Sequence, residues 1–310
     1  MKKKVAVGVA SLCLAGGLAT TPAMAAEATV NQGGVSASDE VASPVDDGYS
    51  LEGSCGASAA DSVTWKLTQN NDDTANPTYT LTFSGKGATA DYNGGLSKGD
   101  QPWRKENSGV DPTAITKVIV EEGVTRLGQQ ATDGAGVVEY SFPPSLTELG
   151  VWALSAEKAT TFNLNGNKHF VVSDGVLYSA DMTTMILYPG GAEARDEFTV
   201  PSSVNTIAGG AFVGCDARKV TIPSAVTSMD GWSFNSSTVA ELDIDAEMVL
   251  PQALIPYSET LEKVTVGPHV KGLGQNAFAY CNKLTTVSLP DGLEEIAWGG
   301  FCRVHKPGGH

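Results

Sequence analysis

The chain has 310 residues, 41% of them apolar, which is enough to bury a sizeable core in one large unit or two domains. Its formal net charge of −15 repels phosphate backbones and anionic lipids, which excludes nucleic-acid binding driven by electrostatics. Five cysteines without a C-x-x-C pair indicate neither a disulfide framework nor a structural zinc site, and no motif calls for a cofactor.

The first 25 residues have the pattern of a secretory signal peptide. A basic start, "MKKK", precedes the apolar run "VAVGVASLCLAGGLA", and "AMA" (Ala23–Ala25) fits an A-x-A cleavage site. The apolar run is short for a membrane span, and no later segment is apolar enough for one. We therefore expect an exported chain, secreted or held at a bacterial cell surface, with no transmembrane segment after cleavage.

Residues 26–48 are rich in Ala, Val, Ser, Gly and acidic residues and show no apolar period, so we expect a flexible leader. From Thr116 onward one phrase recurs, as in "FTVPSSVNTIAGGAF" and, 22 residues later, "VTIPSAVTSMDGWSF". Eight copies follow one another at 22 or 23 residues, except for one step of 36 that indicates an insertion. Such a period predicts a solenoid. The aligned apolar residues that end the first half of each copy are Val120, Phe142, Leu164, Val200, Ile222, Ile244, Val266 and Leu289.

The pattern inside each copy predicts a short half-buried strand followed by a turn. In "KVTIP" apolar and polar residues alternate, and the proline ends the strand because it cannot donate a ladder hydrogen bond. Two spaced apolar residues and a small-Phe pair follow, which makes six inward positions in a copy. Six apolar side chains cannot offset the conformational entropy of a whole copy, so stability requires several stacked copies.

The phrases "FTVPSSVNTIAGGAFVGC" and "VTVGPHVKGLGQNAFAYC" resemble the BspA-like, or Treponema-type, leucine-rich repeat. The resemblance implies a β-rich leucine-rich-repeat solenoid with a parallel sheet and short helical or irregular turns on its outer side. It assigns residues 113–302 to the solenoid, with a hairpin insertion at about 168–194, and residues 49–112 to a small β-rich N-terminal segment. Residues 303–310 are then an uncapped tail.

Proteins of this family are exported or surface-bound, and binding of host proteins or adhesion is the usual suggestion for them. We therefore expect a non-catalytic protein that binds an extracellular protein or a glycan. Two alternatives remain open. One is an enzyme, or an enzyme accessory, with its site in the N-terminal β-rich segment. The other is a fragment of a longer protein that continues with more repeats and an anchor.

Three departures from the repeat stand out. Thr132 occupies the position of the first phenylalanine. The copy "LDIDAEMVLPQALIPYSE" lacks the Ile-Gly and Ala-Phe marks and has prolines at 251 and 256, so we expect an irregular outer loop there. The last turn has no layer beyond Leu293, Ile296 and Phe301, which predicts fraying from about Asp291 or end-to-end self-association.

No motif points to catalysis. The four histidines are scattered, and no H-E-x-x-H, G-x-S-x-G or phosphate-loop pattern is present. A cleft that brought Asp91 or Asp100 close to a histidine would favour the enzyme alternative. Asp243, Asp245 and Glu247 form the densest acidic group, but three carboxylates are too few for calcium, and we expect a solvated strand edge.

The outward strand positions are the candidate binding surface. In a solenoid of this type the row next to the last strand residue lines the open parallel sheet, and its side chains here are small and mostly hydroxylated. Such a row offers hydrogen bonds to an extended protein or glycan, although threonine is also simply favoured in strands. The candidate ligand-binding residues are Ser141, Asn163, Thr199, Thr221, Asp243, Thr265 and Ser288, and Ile119 begins the row.

A second outward row alternates in charge. Between Glu197 and Lys263 the sign changes at every repeat, so we expect each of these residues to face an opposite charge on the next strand. The row consists of Lys117, Glu139, Thr161, Glu197, Lys219, Glu241, Lys263 and Thr286.

Cys215 and Cys281 occupy the same position of the repeat, three repeats apart. Three strand spacings are about 14 Å, too far for a disulfide, whose Cα atoms lie within about 7 Å. We expect both to be buried free thiols.

Overall fold

The structure is a computed structural model that describes residues 51–302 except 72, 74 and 94–99. The predicted signal peptide, leader and tail lie outside these residues. Helix is limited there to α1 (Lys105–Ser108) and the 3-10 turn Pro112–Ala114, and no described helix is long and apolar enough to cross a bilayer. The strands are β1 (Glu52–Ser54), β2 (Thr64–Gln69), β3 (Tyr79–Ser84), β4 (Gly87–Ala88), β5 (Ile115–Val120), β6 (Val124–Leu127), β7 (Glu139–Ser141), β8 (Glu148–Leu149), β9 (Thr161–Asn163), β10 (Phe170–Ser173), β11 (Val176–Ser179), β12 (Thr184–Leu187), β13 (Glu197–Thr199), β14 (Thr206–Ile207), β15 (Lys219–Ile222), β16 (Ser228–Met229), β17 (Glu241–Ile244), β18 (Val249–Leu250), β19 (Lys263–Val266), β20 (Gly272–Leu273), β21 (Thr286–Ser288) and β22 (Glu295–Ile296).

The chain winds as a β-solenoid of about eight turns, which confirms the predicted fold. The first strand of each repeat pairs in parallel with the first strand of a neighbouring repeat, and we call this set the front ladder. It has two stretches, β5-β7-β9 and β13-β15-β17-β19-β21. The second strands form the rear ladder, in the sets β4-β6-β8, β12-β14-β16 and β18-β20-β22.

The predicted alternation of apolar and polar residues in the strands corresponds to alternating burial. In β15, Val220 and Ile222 are fully buried, whereas the intervening polar residues are half-buried. Aromatic residues of successive repeats stack on one another in the core: the rings of Phe212 and Phe234 lie 4.4 Å apart at 5°. Each repeat therefore buries the equivalent side chains of the next, which is why the phrase must recur.

The N-terminal segment continues the front ladder and covers its first end. Strand β3 pairs in parallel with β5, and β2 and β1 extend this sheet in antiparallel fashion. Trp103 packs edge-on against Trp65, Phe83 and Tyr92 beneath the sheet. Strand β1 ends this sheet with Glu52 and Ser54 exposed, so the segment supplies the polar end layer that a solenoid requires.

A hairpin separates two hydrophobic cores. Strands β10 and β11 pair antiparallel, and β12 then enters the rear ladder beside β14. Three successive residues of β11 are buried, which a strand with one wet face would not show. Val176 and Tyr178 pack with the C-terminal core and Leu177 with the N-terminal core, so both faces of the hairpin are covered.

The predicted irregular loop in the copy with Pro251 and Pro256 is wrong. The amides of Ala253, Ile255 and Tyr257 donate to carbonyls of the next repeat at 2.8–3.0 Å, as in a regular turn. These three alternate amides carry the pairing between repeats. The two prolines remove other amides, so the turn survives the loss of its sequence marks.

This turn geometry is shared along the solenoid. Two residues four positions apart adopt the left-handed conformation, whether or not they are glycine. We call the surface at the first residue of each pair the turn face. The pairs are Gln130 and Gly134, Gly210 and Gly214, Trp232 and Ser236, Ala253 and Tyr257, and Asn276 and Tyr280.

The last described turn is covered on one side. Phe301 stacks on Phe278 with ring centroids 5.3 Å apart. Ile296 and Trp298 are 49% and 74% exposed. Fraying or end-to-end association from this turn stays a prediction.

Candidate functional site

The candidate binding row lies in register on the front ladder. Thr199 pairs with Thr221, and the row continues through Asp243 and Thr265 to Ser288. Ser141 and Asn163 form a second, shorter row with Ile119 in the first stretch of the ladder. Strands β9 and β13 belong to different sheets. The structure thus places five of the seven residues in one row and two in another.

Four hydroxyls of the longer row are unoccupied. Within the described residues, Thr199, Thr221, Thr265 and Ser288 make no side-chain hydrogen bond to the protein. Their side chains are half-buried or exposed. The strands of Thr221 and Thr265 are hydrogen-bonded on both sides, and those of Thr199 and Ser288 are paired on one side at the ends of the ladder.

The other three candidates already have partners. Asn163 donates to Glu139 at 2.8 Å, and Asn165 donates to the Ser141 hydroxyl at 2.8 Å. Asp243 forms an ion pair with Lys219 at 3.1 Å. A ligand at these positions would have to replace bonds that the surface makes with itself.

The charged row has the predicted register, but its contacts differ at Lys219. Lys117 pairs with Glu139 at 2.9 Å and Lys263 with Glu241 at 3.3 Å, directly across neighbouring strands. The ammonium of Lys219 instead reaches Asp243, two residues further along β17, and the Asp243 hydrogen bond raises the pKa of Lys219.

Glu241, a direct cross-strand neighbour of Lys219, is engaged by two other side chains. Its carboxylate already binds Arg218 at 3.1 Å as well as Lys263. A diagonal neighbour is within reach of a long side chain. The prediction that Lys219 lies across from Glu197 and Glu241 is confirmed for the strand register. It is wrong for the ion pair, because the ammonium group contacts Asp243.

The acidic group is divided among separate basic side chains. Asp243 pairs with Lys219, Asp245 with His269 at 2.8 Å, and Glu247 lies 3.8 Å from Lys271. No group of three or more potential metal ligands occurs in the described part of the chain. These carboxylates stabilise the surface of the sheet.

The carboxylates of the enzyme alternative also have structural partners. The carboxylate of Asp91 accepts the Gln129 amide at 2.6 Å and the Arg126 guanidinium at 2.7 Å, and these bonds lower the pKa of Asp91. Asp100 accepts the Asn93 amide at 2.8 Å. Asp91 thus fastens its loop to the solenoid, Asp100 bonds within the N-terminal segment, and among the described contacts neither carboxylate meets a histidine.

Sequence reasoning missed a cavity of about 580 Å³ on the turn face. Trp152 and Trp232 line it together with Arg104, Asp133 and Glu157. The one available signal was that both tryptophans directly precede a small-apolar pair of the repeat phrase, in "WAL" and "WSF". Nothing in the sequence indicated that the two turns enclose one space.

Comparison with known proteins identifies the repeat. The family model described as the BspA type leucine-rich repeat region matches residues 111–191 and 191–306 in six copies. No curated protein matches the chain.

Solved structures with leucine-rich repeats are also similar to the chain. One is a leucine-rich repeat protein from Eubacterium ventriosum, at 19% identity and a TM-score of 0.41, covering 81% of this chain and 95% of that one. Another is a leucine rich cell surface protein from Faecalibacterium prausnitzii, at 14% identity and a TM-score of 0.41, covering 77% of this chain and 84% of that one.

Proposed function

Because the chain belongs to the BspA-type leucine-rich-repeat family, we propose that it is an exported, non-catalytic protein that binds a protein partner through its front ladder. The role is of the adhesion type, at or near a bacterial surface. Export is supported by the signal-peptide pattern of residues 1–25.

The row of free hydroxyls carries this proposal. Thr199, Thr221, Thr265 and Ser288 stand on one face, and the row extends over about 19 Å, four strand spacings. Because the side chains are small, a partner can approach the sheet closely and exchange water for four preplaced donors and acceptors. A buried hydrogen bond at such a surface adds specificity because an unmatched partner leaves the groups unsatisfied.

The charged row beside it supports selectivity. Positive and negative groups alternate along the ladder between Glu197 and Lys263. A partner with the opposite order of charges is favoured, and one with uniform charge meets repulsion at every second strand. The acidic chain as a whole would disfavour strongly acidic partners.

The test is binding of the full chain to an array of purified extracellular-matrix and cell-surface proteins, followed by variants against any protein bound. Thr221→Arg places a bulky cation in the middle of the row. Ser228→Arg is the matched control, since it adds the same group to an exposed position of the rear ladder in the same repeat. We expect Thr221→Arg to weaken binding by at least about tenfold and Ser228→Arg to leave binding unchanged. Equal effects of the two variants would show that the front ladder is not the binding surface.

A further inference from the structure

The turn-face cavity is a second candidate binding site, separate from the front ladder. Its volume of about 580 Å³ lies within the range of small-ligand pockets. The cavity is bounded by turns that are distant in sequence, because the repeat that carries the hairpin β10–β11 lies between them.

The two indoles are held by unusual backbone. Trp152 and Trp232 have φ of 59° and 60°, and Gly210, in the same position of its own repeat, has φ of 79°. The left-handed conformation is unfavourable for a bulky residue. It directs both side chains out of the turn face rather than into the core.

Trp152 lies against a glycine pair. A Cβ on Gly210 would be 2.9 Å from Cε3 of the indole, and one on Gly209 would be 3.0 Å from Nε1. Gly190, whose amide donates to the Ala156 carbonyl at 3.1 Å, leaves no side chain between these turns. The absence of side chains at Gly209 and Gly210 therefore lets the indole reach across to the repeat that precedes Trp232.

Trp232 is 40% exposed, and Trp152 is only partly buried. An exposed indole beside a cavity is a surface that loses its contact with water when a flat apolar group stacks on it. The two rings therefore supply apolar contact at two places in one cavity.

The polar lining is mixed in charge. Arg104 is fixed by its bonds to Gln101 at 2.7 Å and to the Asp133 carbonyl at 3.2 Å. The carboxylates of Asp133 and Glu157 and the amide of Asn235 share the lining. Burial raises the pKa of Asp133, although Arg104 opposes the shift, which places that carboxyl in a partly dehydrated setting.

This combination selects among ligand classes. Because Arg104 shares the lining with Asp133 and Glu157, a ligand of either single charge would meet both like and opposite charges. An apolar ligand would leave the polar groups without partners. A neutral pyranose offers hydroxyls that donate and accept, and a face of C–H groups that stacks on an aromatic ring.

We propose that this cavity binds a neutral saccharide, with a pyranose ring stacked on Trp232 or Trp152 and its hydroxyls bonded to the polar lining. The site does not depend on the front ladder, so either proposal can fail alone.

The test is an NMR titration of the full chain labelled with ¹⁵N at tryptophan. The probes are cellobiose, lactose, N,N′-diacetylchitobiose and mannobiose, each added to about 20 mM because isolated sugar sites bind weakly. We expect at least one of them to shift the indole N–H signals of Trp152 and Trp232 and to leave that of Trp298, which is 74% exposed at the last described turn. Signals are assigned from single Trp→Phe variants.

Two variants of lining residues and two controls test the site. Trp232→Ala should weaken binding of the active probe by about tenfold or more, and Trp298→Ala should not change it. Glu157→Gln, which keeps the shape of an exposed side chain, should weaken binding by a smaller factor. Thr221→Arg on the front ladder should have no effect.

Four outcomes would overturn the proposal. They are no shift with any sugar, equal shifts at Trp298, loss of sugar binding in Thr221→Arg, and a response to tetramethylammonium chloride without a response to sugars. The last result would identify the two indoles as a cation site instead.

Discussion

The hydroxyl oxygen of Thr132 lies 2.9 Å from the phenol oxygen of Tyr140, and both side chains are buried. Thr132 stands where later repeats have phenylalanine, and Tyr140 on β7 stands where they have smaller residues such as Val220. The larger strand residue fills the volume that the smaller turn residue leaves. The Ser155 amide donates to both oxygens, at 3.1 and 2.8 Å, so the buried polar groups are paired.

This pair should behave as one unit. Thr132→Val and Tyr140→Phe each remove one member of a buried network, and each should cost about 1–3 kcal/mol because the partners left behind lose a bond. The double variant should cost less than the sum of the two by about 0.5–3 kcal/mol. Urea unfolding measures all three. Additive costs would show that the two hydroxyls act independently.

Restoring the repeat's own residue should harm the protein. Thr132→Phe should destabilise by about 1–3 kcal/mol, because the ring of Tyr140 already occupies the space and overpacking forces strain. Ile255→Phe is the matched control. Ile255 occupies the turn position that Phe234 and Phe278 hold in the neighbouring repeats, so this variant also introduces the repeat's usual phenylalanine. We expect a smaller loss there. A stabilised Thr132→Phe would mean that Tyr140 leaves the space open.

Sequence reasoning predicted what the period determines. The backbone register of Lys219 against Glu241 follows from the 22-residue spacing, and it is confirmed. The ion pair of Lys219 with Asp243 could not be predicted, because Lys219 has several acidic neighbours and Glu241 also binds Arg218 and Lys263. Long side chains choose among several neighbours, and a repeat pattern does not decide between them.

The misjudged turn and the missed cavity have different causes. Pro251 and Pro256 removed the sequence marks of a turn but not the alternate amides that hold it. The meeting of Trp152 with Gly210 depends on how the hairpin copy brings distant turns together, which no local pattern encodes. The register of Thr199, Thr221 and Thr265 on the front ladder, in contrast, follows directly from strand alternation and the repeat spacing.

Lys219→Glu should lower the melting temperature in low salt. The new carboxylate would face Asp243, Glu197 and Glu241 in place of the ion pair that the wild-type ammonium makes. The loss should shrink in high salt, where the screening length falls to a few Å. Lys283→Glu is the control for net charge, since within the described residues exposed Lys283 makes no ion pair. A loss that salt leaves unchanged would contradict the electrostatic explanation.

Gly210→Ala should cost more stability than Gly166→Ala. Both glycines have positive φ, 79° and 83°, so both variants carry about 1–2 kcal/mol of backbone strain. A Cβ at Gly166 meets nothing within 4 Å, whereas at Gly210 it presses on the indole of Trp152. The difference between the two unfolding free energies therefore measures the indole contact. Equal costs would show that Trp152 moves aside freely.

Cys215 and Cys281 should be inert in the folded protein. The structure confirms both as buried free thiols, and Cys281 donates to the Ile255 carbonyl at 3.1 Å. Burial raises the pKa of Cys215 to about 12 and that of Cys281 to about 11, from an ordinary value of 9.0. Since the thiolate is the reactive form, alkylation at pH 8 should modify neither residue until urea unfolds the chain.

The same shift predicts how these thiols affect stability at high pH. An unfolded thiol loses its proton near pH 9.0, whereas the folded ones hold theirs until about 11 and about 12. The stability they contribute is fully present below pH 9 and is lost as the pH rises toward 11–12, because the unfolded state then binds fewer protons. The double variant Cys215→Ala, Cys281→Ala should lose less stability than the parent between pH 9 and 11, as measured by urea unfolding. Because both proteins contain the same buried tyrosines, the comparison cancels their contribution. An identical pH dependence in the two proteins, or a bridge between residues 215 and 281 found by mass mapping, would contradict the burial and the repeat spacing on which this prediction depends.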